Sequence, residues 1–411
     1  MCVCAHFLDA TAEQRSIPSA FGLRLYERSE SQRYIGALLR GALLKSLCVM
    51  FLKKYKNLPN RIAVGNNKYI GEGDPAFFIA EIGNNHNGDY FLAKKTMEEA
   101  VKSGADAVKF QKRFIEEVFA KELREKLQTK DQVLGKTYGE YRQALELDFE
   151  EFVKLKSVSQ ELGTIFFATP FDKKSVDFLE KVGVDLYKIA SFDTTNLPLL
   201  EYVAQKGKPV ILSTGMTSLE ELDSAVETIL RYNKQLIILH CVSVYPSVDE
   251  RLSLLTIPFL KERYSPLPIG YSGHERDYSP TLAAVTLGAK CIERHFTLDK
   301  NLPGPDHATV SVDPEQFTKM VHGAKRIEVA LGTPGKYLFE EEMATRNKHS
   351  KSLVAKIDIP AGALIRADML TCKSPGYGLK PRMLPQVIGK KAKKDILADT
   401  VLTNDHIILE A

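Results

Sequence analysis

The chain has 411 residues, a formal net charge of +4, and ordinary shares of apolar (44%) and charged (26%) residues, which is the profile of a soluble globular protein of two or three domains without a disordered body. The charge is small for this length and no Lys/Arg run is interleaved with aromatics, so a nucleic-acid surface is not indicated and the basic residues are read as meeting a small anionic substrate. The six cysteines (Cys2, Cys4, Cys48, Cys241, Cys291 and Cys372) are scattered apart from Cys2-Val3-Cys4, which argues against a zinc cluster or a disulfide framework and fits a reducing cytoplasm.

Residues 1–74 are the least legible segment. The apolar stretch from Ile35 to Leu52 is interrupted by Arg40 and Lys45 and is followed by no small-residue cleavage site, so neither a membrane span nor a signal peptide is expected. Glu27 and Glu30 among the arginines weaken a transit peptide. The preferred reading is a start placed too far upstream, with Met50 as the true beginning, and the segment is assigned no function.

From Phe77 onward, eight short apolar runs each end in polar or charged residues. Phe77–Ala80 leads into Glu81, Ala105–Val108 into Lys109, Ile165–Ala168 into Thr169, and Leu186-Tyr187 into Lys188 and Ser191. Val210–Leu212 then leads into Ser213, Leu236–Leu239 into His240 and Ser243, Pro268–Tyr271 into Ser272 and His274, and Cys291-Ile292 into Glu293 and His295. Continuous runs rich in Ile, Val and Phe, alternating with helical patterns, predict buried parallel strands joined by βαβ crossovers. Eight such units in roughly 220 residues predict a closed (β/α)8 TIM barrel, whose chemistry sits at the carboxyl ends of the strands, where these polar residues fall. An open doubly wound sheet would need fewer strands and a Gly-rich nucleotide fingerprint, and none is present.

A helical pattern from Pro314 to Leu331 closes the barrel, giving a domain over 75–335, and a polar linker follows over 336–349. The tail, 350–411, holds a degenerate repeat. Asp358-Ile359-Pro360-Ala361-Gly362 leading to Asp368-Met369-Leu370 resembles Asp395-Ile396-Leu397-Ala398-Asp399 leading to Asp405-His406-Ile407. Each copy pairs a turn with short β-rich arms, which predicts a compact all-β module of two related halves. About 60 residues make a marginal core, so docking on a barrel, its own or a partner's, is expected.

Two constellations fall on the predicted catalytic face. His274 and His295 end consecutive strands, close enough for two imidazoles to share one divalent ion, with water or Glu81 completing an oxygen-rich shell that suits Mn²⁺ or Mg²⁺. Lys109, Lys188, Thr169, Ser191, Ser213 and Ser272 could surround a small polyanion such as a phosphate ester bearing a carboxylate. Either lysine, if desolvated, could instead form a Schiff base. The stiff loop Pro303–His307 could present Asp306 to substrate hydroxyls, and the segment Glu81–Gly88 reads as a binding loop or as plain turn chemistry.

Taken in order, AEIGNNHNGD, VKFQK, ATPFD, YKIAS, ILSTGM, HCVSVYP, GYSGHE, ERHFTLD and PGPDH resemble the sialic acid synthase family over about residues 75–335. KSLVAKIDIPAGALIRADML and VIGKKAKKDI resemble its antifreeze-like SAF domain, a small all-β fold of the β-clip type. GYSGHE and the SAF segments are similar to the animal-type synthases, which use a 6-phosphorylated sugar. The resemblance implies condensation of phosphoenolpyruvate with an N-acylated amino sugar such as N-acetylmannosamine, giving a sialic acid and phosphate in a cytoplasmic, domain-swapped homodimer. It places the metal on His274 and His295, phosphoenolpyruvate on Lys109, Thr169, Lys188, Ser191, Ser213, Ser243 and Ser272, and the sugar on Glu81, Tyr245 and Asp306. Metal polarisation of the aldehyde would let the enol carbon attack, while the clamp holds it over the carbonyl. Water then adds at the oxocarbenium carbon and the adduct expels phosphate.

Three positions depart from the bacterial pattern. Asp193 stands where a glutamate is usual as general base, Ser243 where asparagine often binds phosphoenolpyruvate, and Ser374 where a SAF-domain arginine reaches the N-acyl group of the partner's substrate. Serine offers no charged fork, so Lys373 or Arg382 is the expected replacement, unless the substrate differs and the chain makes legionaminic or pseudaminic acid. Two other classes are weighed beside the synthase: a Schiff-base aldolase on the same barrel, and a non-catalytic carbohydrate- or ice-binding protein.

Overall fold

The computed structural model describes residues 55, 57–128, 134–302 and 306–408. They form two compact units, one ending at Gly332 and one from Thr333 onward.

The first unit is the predicted barrel. Its strands are β3 (Phe77–Gly83), β4 (Ala107–Lys112), β5 (Ile165–Pro170), β6 (Tyr187–Ile189), β7 (Val210–Ser213), β8 (Leu236–Cys241), β9 (Ile269–Gly273) and β10 (Cys291–His295). All neighbours are parallel, and β10 returns to β3 to close the ring. Closure sets the register of the site: His295 lies opposite Glu81, and Glu81 opposite Lys109. Side chains alternate along a strand, so Cys291, Glu293 and His295 share one face of β10 while Ile292 and Arg294 take the other. Arg294, fully buried, pairs with Glu275 at 2.8 Å and donates to Thr281 Oγ1 at 2.9 Å.

The crossover helices start where the sequence supplies their caps. Asp148/Glu151, Ser218/Glu221 and Asp313/Gln316 are reciprocal capping boxes for the helices Phe149–Glu161, Leu219–Tyr232 and Pro314–Leu331, each satisfying backbone donors the first turn would otherwise leave open. Between β4 and β5 the chain inserts three further short helices, Ile115–Val118, Lys121–Arg124 and Tyr138–Ala144, before Phe149–Glu161.

Ahead of the barrel, β1 (Arg61–Gly65) and β2 (Lys68–Gly71) form a hairpin. Its two-residue loop, Asn66-Asn67, takes positive φ at both positions (47° and 56°), as the tightest hairpin turn requires. Ile62, Val64 and Ile70 belong to the barrel's own core, and Lys68 pairs at 2.6 Å with Asp106, just before β4. The hairpin lies inside the segment 1–74 to which no role is assigned from sequence, and its packing gives residues 61–71 one. Residues 1–54, with Met50 and the stretch Ile35–Leu52, lie outside the described residues. Among the described residues, no helix is long and apolar enough to cross a membrane.

The second unit contains the two-stranded sheet β11 (Ser352–Ala355) and β12 (Leu370–Lys373) with its own apolar core, including Leu353, Ile359, Ile365, Val387, Ile396 and Leu402. The degenerate repeat is a structural one. Ile359 and Ile396 exchange both backbone hydrogen bonds (2.8 and 2.9 Å), and Lys356 N donates to Met369 O as Lys393 N donates to His406 O (2.8 and 2.9 Å). The two aspartates reciprocate across the halves. Asp358 Oδ1 accepts from Ala398 N at 2.6 Å and Asp395 Oδ1 from Ala361 N at 2.7 Å. Replacing Asp395 by alanine should speed hydrogen exchange at the Ala361 amide by about fivefold, and Asp358→Ala should do the same at Ala398. Unchanged exchange at both amides in the full chain would show that the aspartates do not hold these turns.

Candidate active site

At the carboxyl end of the barrel lies a cavity of about 540 Å³. Its floor is a buried lattice of charges. Lys109 Nζ lies 2.9 Å from Glu81 Oε2 and 3.6 Å from Glu293 Oε2, Lys188 Nζ lies 3.6 Å from Glu293 Oε1, and all four groups are buried. Two ammonium groups and two carboxylates cancel, which is how four charges survive away from water. Hydroxyls complete the floor: Lys109 donates to Thr169 Oγ1 at 3.1 Å, Lys188 to Ser213 Oγ at 2.5 Å, and Ser272 to Glu293 Oε1 at 3.1 Å.

The lattice shifts each member differently. Burial alone would raise the Glu293 carboxyl, but Lys109 and Lys188 hold it down to about 2. Burial raises Glu81, with Lys109 opposing and Glu293 adding to the effect. The Lys109 ammonium resists the pull of burial because Glu293 and Glu81 face it, whereas at Lys188 burial outweighs Glu293 and the amine falls below its usual range. Glu81 Oε2 and Glu293 Oε2 nonetheless accept no aligned hydrogen bond, so the floor presents charge that is only loosely satisfied.

Glu81 owes its position to a break in β3. The register slips between Glu81 and Gly83, where Gly83 takes φ +57°, a conformation side chains with a Cβ resist. Gln111 Nε2 then donates to Glu81 Oε1 at 2.6 Å. Of the following loop only Asn84 faces the cavity. Asn85 ties the loop to the chain beyond β10 through Phe296 O (2.8 Å) and Ser311 Oγ (2.9 Å), and buried His86, brought down to about 4 by desolvation, accepts from Gly88 N. The segment Glu81–Gly88 is thus part site and part structural turn.

Above the floor stand the two histidines, ring centroids 5.4 Å apart, with the Tyr245 ring 4.2 Å from His274. His274 Nδ1 lies 2.9 Å from the Val242 carbonyl, which only a protonated Nδ1 can satisfy; burial pulls the ring's pKa down, but Cys241 and this carbonyl raise it above the ordinary imidazole value. His295, lowered to about 4 chiefly by burial, is neutral, and its buried Nδ1 lacks a hydrogen-bond partner, with Asp306 Oδ2 at 3.8 Å. Two neighbouring imidazoles, one carrying an orphaned nitrogen, fit a divalent ion with open positions for water and substrate oxygens. No third His, Cys, Asp or Glu joins them among the described residues: Glu81, expected to complete the shell, is directed to Lys109 and Gln111.

Of the residues expected at the site, Glu81, Lys109, Thr169, Lys188, Ser191, Asp193, Ser213, Tyr245, Ser272, His274, His295 and Asp306 all line this cavity. Ser191 Oγ accepts from Gly215 N at 3.0 Å, and a Cβ on Gly215 would come within 2.8 Å of that oxygen. Asp193 sits towards Arg113 and Asp172; burial raises its carboxyl while Asn196 Nδ2 donates to it at 3.0 Å. Ser243 is the exception. It lines a neighbouring cavity of about 500 Å³ with Thr214 and His240, its hydroxyl 4.0 Å from Cys241 Sγ. Pro303–Pro305 of the Asp306 loop lie outside the described residues.

Residues not assigned from sequence also line the cavity: Glu293, Gln111, Asn84, Cys241, Arg113 and Arg142. Burial and the nearby Arg142 charge bring the Arg113 guanidinium down to about 10. In the second unit Ser374 is spent locally, donating to His349 O and accepting from Lys351 Nζ, each at 2.9 Å. Lys373 pairs with Asp399, while Arg382 is exposed.

Residues 96–336 match the NeuB family and residues 350–408 the SAF domain. The chain is 38% identical to an N-acetylneuraminate-9-phosphate synthase of Mus musculus, covering 85% of this chain and 98% of that protein. It is 36% identical to an N,N'-diacetyllegionaminic acid synthase of Legionella pneumophila, over 84% of this chain and 99% of that one. It superimposes on an N-acetylneuraminic acid synthetase of Leptospira borgpetersenii with a TM-score of 0.62 at 36% identity, covering 70% of this chain and 95% of that one. With the barrel, the strand-end lattice and these matches in agreement, the chain belongs to the NeuB family.

Proposed function

We propose that the chain condenses phosphoenolpyruvate with an N-acylated amino sugar, N-acetylmannosamine or its 6-phosphate, to give N-acetylneuraminate or its 9-phosphate and free phosphate. The observation that carries this reading is the buried Lys109–Glu81–Glu293–Lys188 lattice beneath two neighbouring histidines, His274 and His295. It supports the binding of one small polyanion against one electrophile. Relatives named as N-acetylneuraminate-9-phosphate and legionaminic acid synthases support the sugar class.

A divalent ion, Mn²⁺ or Mg²⁺, held by His274 and His295 would supply Lewis acidity to the aldehyde oxygen. The chain's own groups do the rest. Lys109 and Lys188 take the anionic oxygens of phosphoenolpyruvate, and Thr169, Ser191, Ser213 and Ser272 restore hydrogen bonds those oxygens lose on leaving water. Fixing the enol over the carbonyl removes most of the entropic barrier to carbon–carbon bond formation. Glu81, Tyr245 and Asp306 orient the sugar. Free thiols at Cys241, Cys291 and Cys372 agree with a reducing, cytoplasmic setting. A homodimer whose SAF module serves the partner's substrate completes the proposal, with Arg382 the better placed of the two cations to replace the missing arginine, since Lys373 is already paired.

A Schiff-base aldolase remains the competing chemistry because Lys188 is held below its usual range. Its amine is engaged by Ser213 and Ile189 O, which favours a clamp over a nucleophile. Phosphate release with Mn²⁺, run in parallel with N-acetylmannosamine, its 6-phosphate and the 2,4-diacetamido sugars that lead to legionaminic and pseudaminic acids, separates these readings. We expect release with an N-acetylmannosamine acceptor, abolished by EDTA. Release only with a diacetamido sugar would move the substrate to that class, and borohydride trapping of a lysine adduct without phosphate release would establish the aldolase.

A further inference from the structure

The cavity has an outer zone that the condensation just described does not use. Lys109, Gln111 and Arg113 alternate along and just past β4, so Arg113 stands two positions beyond Lys109 on the same face, roughly 13 Å along the strand at about 3.3 Å per residue. Its guanidinium carbon lies over the Phe171 ring, 3.9 Å from the centroid, and the group is held by Gln111 Oε1 and, at 3.4 Å, by Asn84 Oδ1. Such a planar fork is fixed before any ligand arrives. Arg142, from the helix Tyr138–Ala144, lines the same zone.

Positive charge there is under-compensated. Glu146 is shared between Lys112 at 3.1 Å and Arg113 at 3.4 Å. Arg142 has no ion pair among the described residues, and its buried Nε has no hydrogen-bond partner. The other carboxylate on this wall, Asp193, accepts from Asn196 and faces Arg113 but makes no ion pair among the described residues. The inner floor, by contrast, balances its charges and already matches the anionic groups of phosphoenolpyruvate. Two guanidinium groups at the far end of the same cavity call for a second anion, carried by the other substrate.

We propose that Arg113 and Arg142 bind a phosphate monoester on the acceptor sugar at the end remote from its carbonyl, making the chain selective for a phosphorylated N-acylamino sugar. This rests on the synthase reading above. With the carbonyl at the histidines, the open-chain sugar runs outward along β4, and its terminal phosphate meets both forks in bidentate, charge-assisted bonds.

The test compares phosphoenolpyruvate consumption by the full, Mn²⁺-loaded chain with N-acetylmannosamine 6-phosphate and with N-acetylmannosamine. The phosphorylated acceptor should be favoured at least tenfold in kcat/KM. Arg142→Gln, which breaks no ion pair among the described residues, should raise the KM for that acceptor tenfold or more, leave the KM for phosphoenolpyruvate within twofold, and erase the preference. Arg113→Lys keeps the charge but loses the fork, and should raise the same KM severalfold. Equal use of both sugars, with neither acceptor KM moved by Arg142→Gln, would overturn the arginine site while leaving the synthase standing; no consumption with any acceptor would overturn both.

Discussion

Replacing His295 by alanine is expected to lower phosphate release from phosphoenolpyruvate by about three orders of magnitude or more. Lewis-acid stabilisation of a developing charge is worth several kcal/mol, and each of about 1.4 kcal/mol is a factor of ten in rate. The expectation is steep because the donor set is small: only His274 and His295 converge among the described residues, so losing one leaves a single protein ligand. His274→Ala should be equally damaging, and the double variant hardly worse than either, because groups that act as one unit are not additive. Mn²⁺ binding, followed by electron paramagnetic resonance without substrates, should weaken in parallel. His295 Nδ1 has no hydrogen-bond partner, so its removal strands no buried group and the variant should stay folded. Near-normal turnover in His295→Ala, or full Mn²⁺ affinity in either single variant, would remove the metal from these residues.

Why these two histidines could be found from sequence, while some of their neighbours could not, follows from how the barrel presents side chains. A buried parallel strand is a short unbroken apolar run, and the residue that breaks it stands at the catalytic face. That local signal placed Glu81, Lys109, Thr169, Lys188, Ser213, Ser272, His274 and His295, and all of them meet in one cavity. Glu293 also ends a run, but its role depends on Lys109 and Lys188 reaching across the interior from β4 and β6, a relation that exists only once β10 pairs with β3. Arg142 was illegible for a stronger reason: it sits on a helix of an insertion, and nothing within a few residues shows which way that helix turns. Arg113 comes one residue after β4, where its direction is set by stacking on Phe171, which itself follows the end of β5. The hairpin of β1 and β2 did leave a signal, the alternation of Ile62, Val64 and Ile70 about Asn66-Asn67, but it follows a long stretch without clear periodicity. In the tail, the constant offset between the two aspartate turns was enough to predict two related halves, though not that each aspartate would hold the other half's turn.

Glu293→Gln tests the lattice itself and should be the most destabilising of the conservative changes at the site. Glutamine matches glutamate in size, so the variant removes charge with little change in packing. The wild-type floor holds Lys109 and Lys188 against Glu81 and Glu293, and without Glu293 two buried ammonium groups share the single carboxylate of Glu81. Breaking a buried ion pair from one side typically costs about 3–5 kcal/mol, because the surviving charge stays desolvated. For a barrel of this size that corresponds to a fall in Tm of order 10 °C. The same imbalance should change the response to substrate. Phosphoenolpyruvate brings negative charge to a floor that in the variant has an excess of positive charge, so saturating ligand should recover more Tm in Glu293→Gln than it adds to the parent protein, since a ligand stabilises in proportion to its preference for the folded state. Activity should still fall, because Lys188 loses the carboxylate that faces it. A Tm within about 2 °C of the parent, or equal stabilisation of both proteins by phosphoenolpyruvate, would mean that the four charges do not act as one compensated unit.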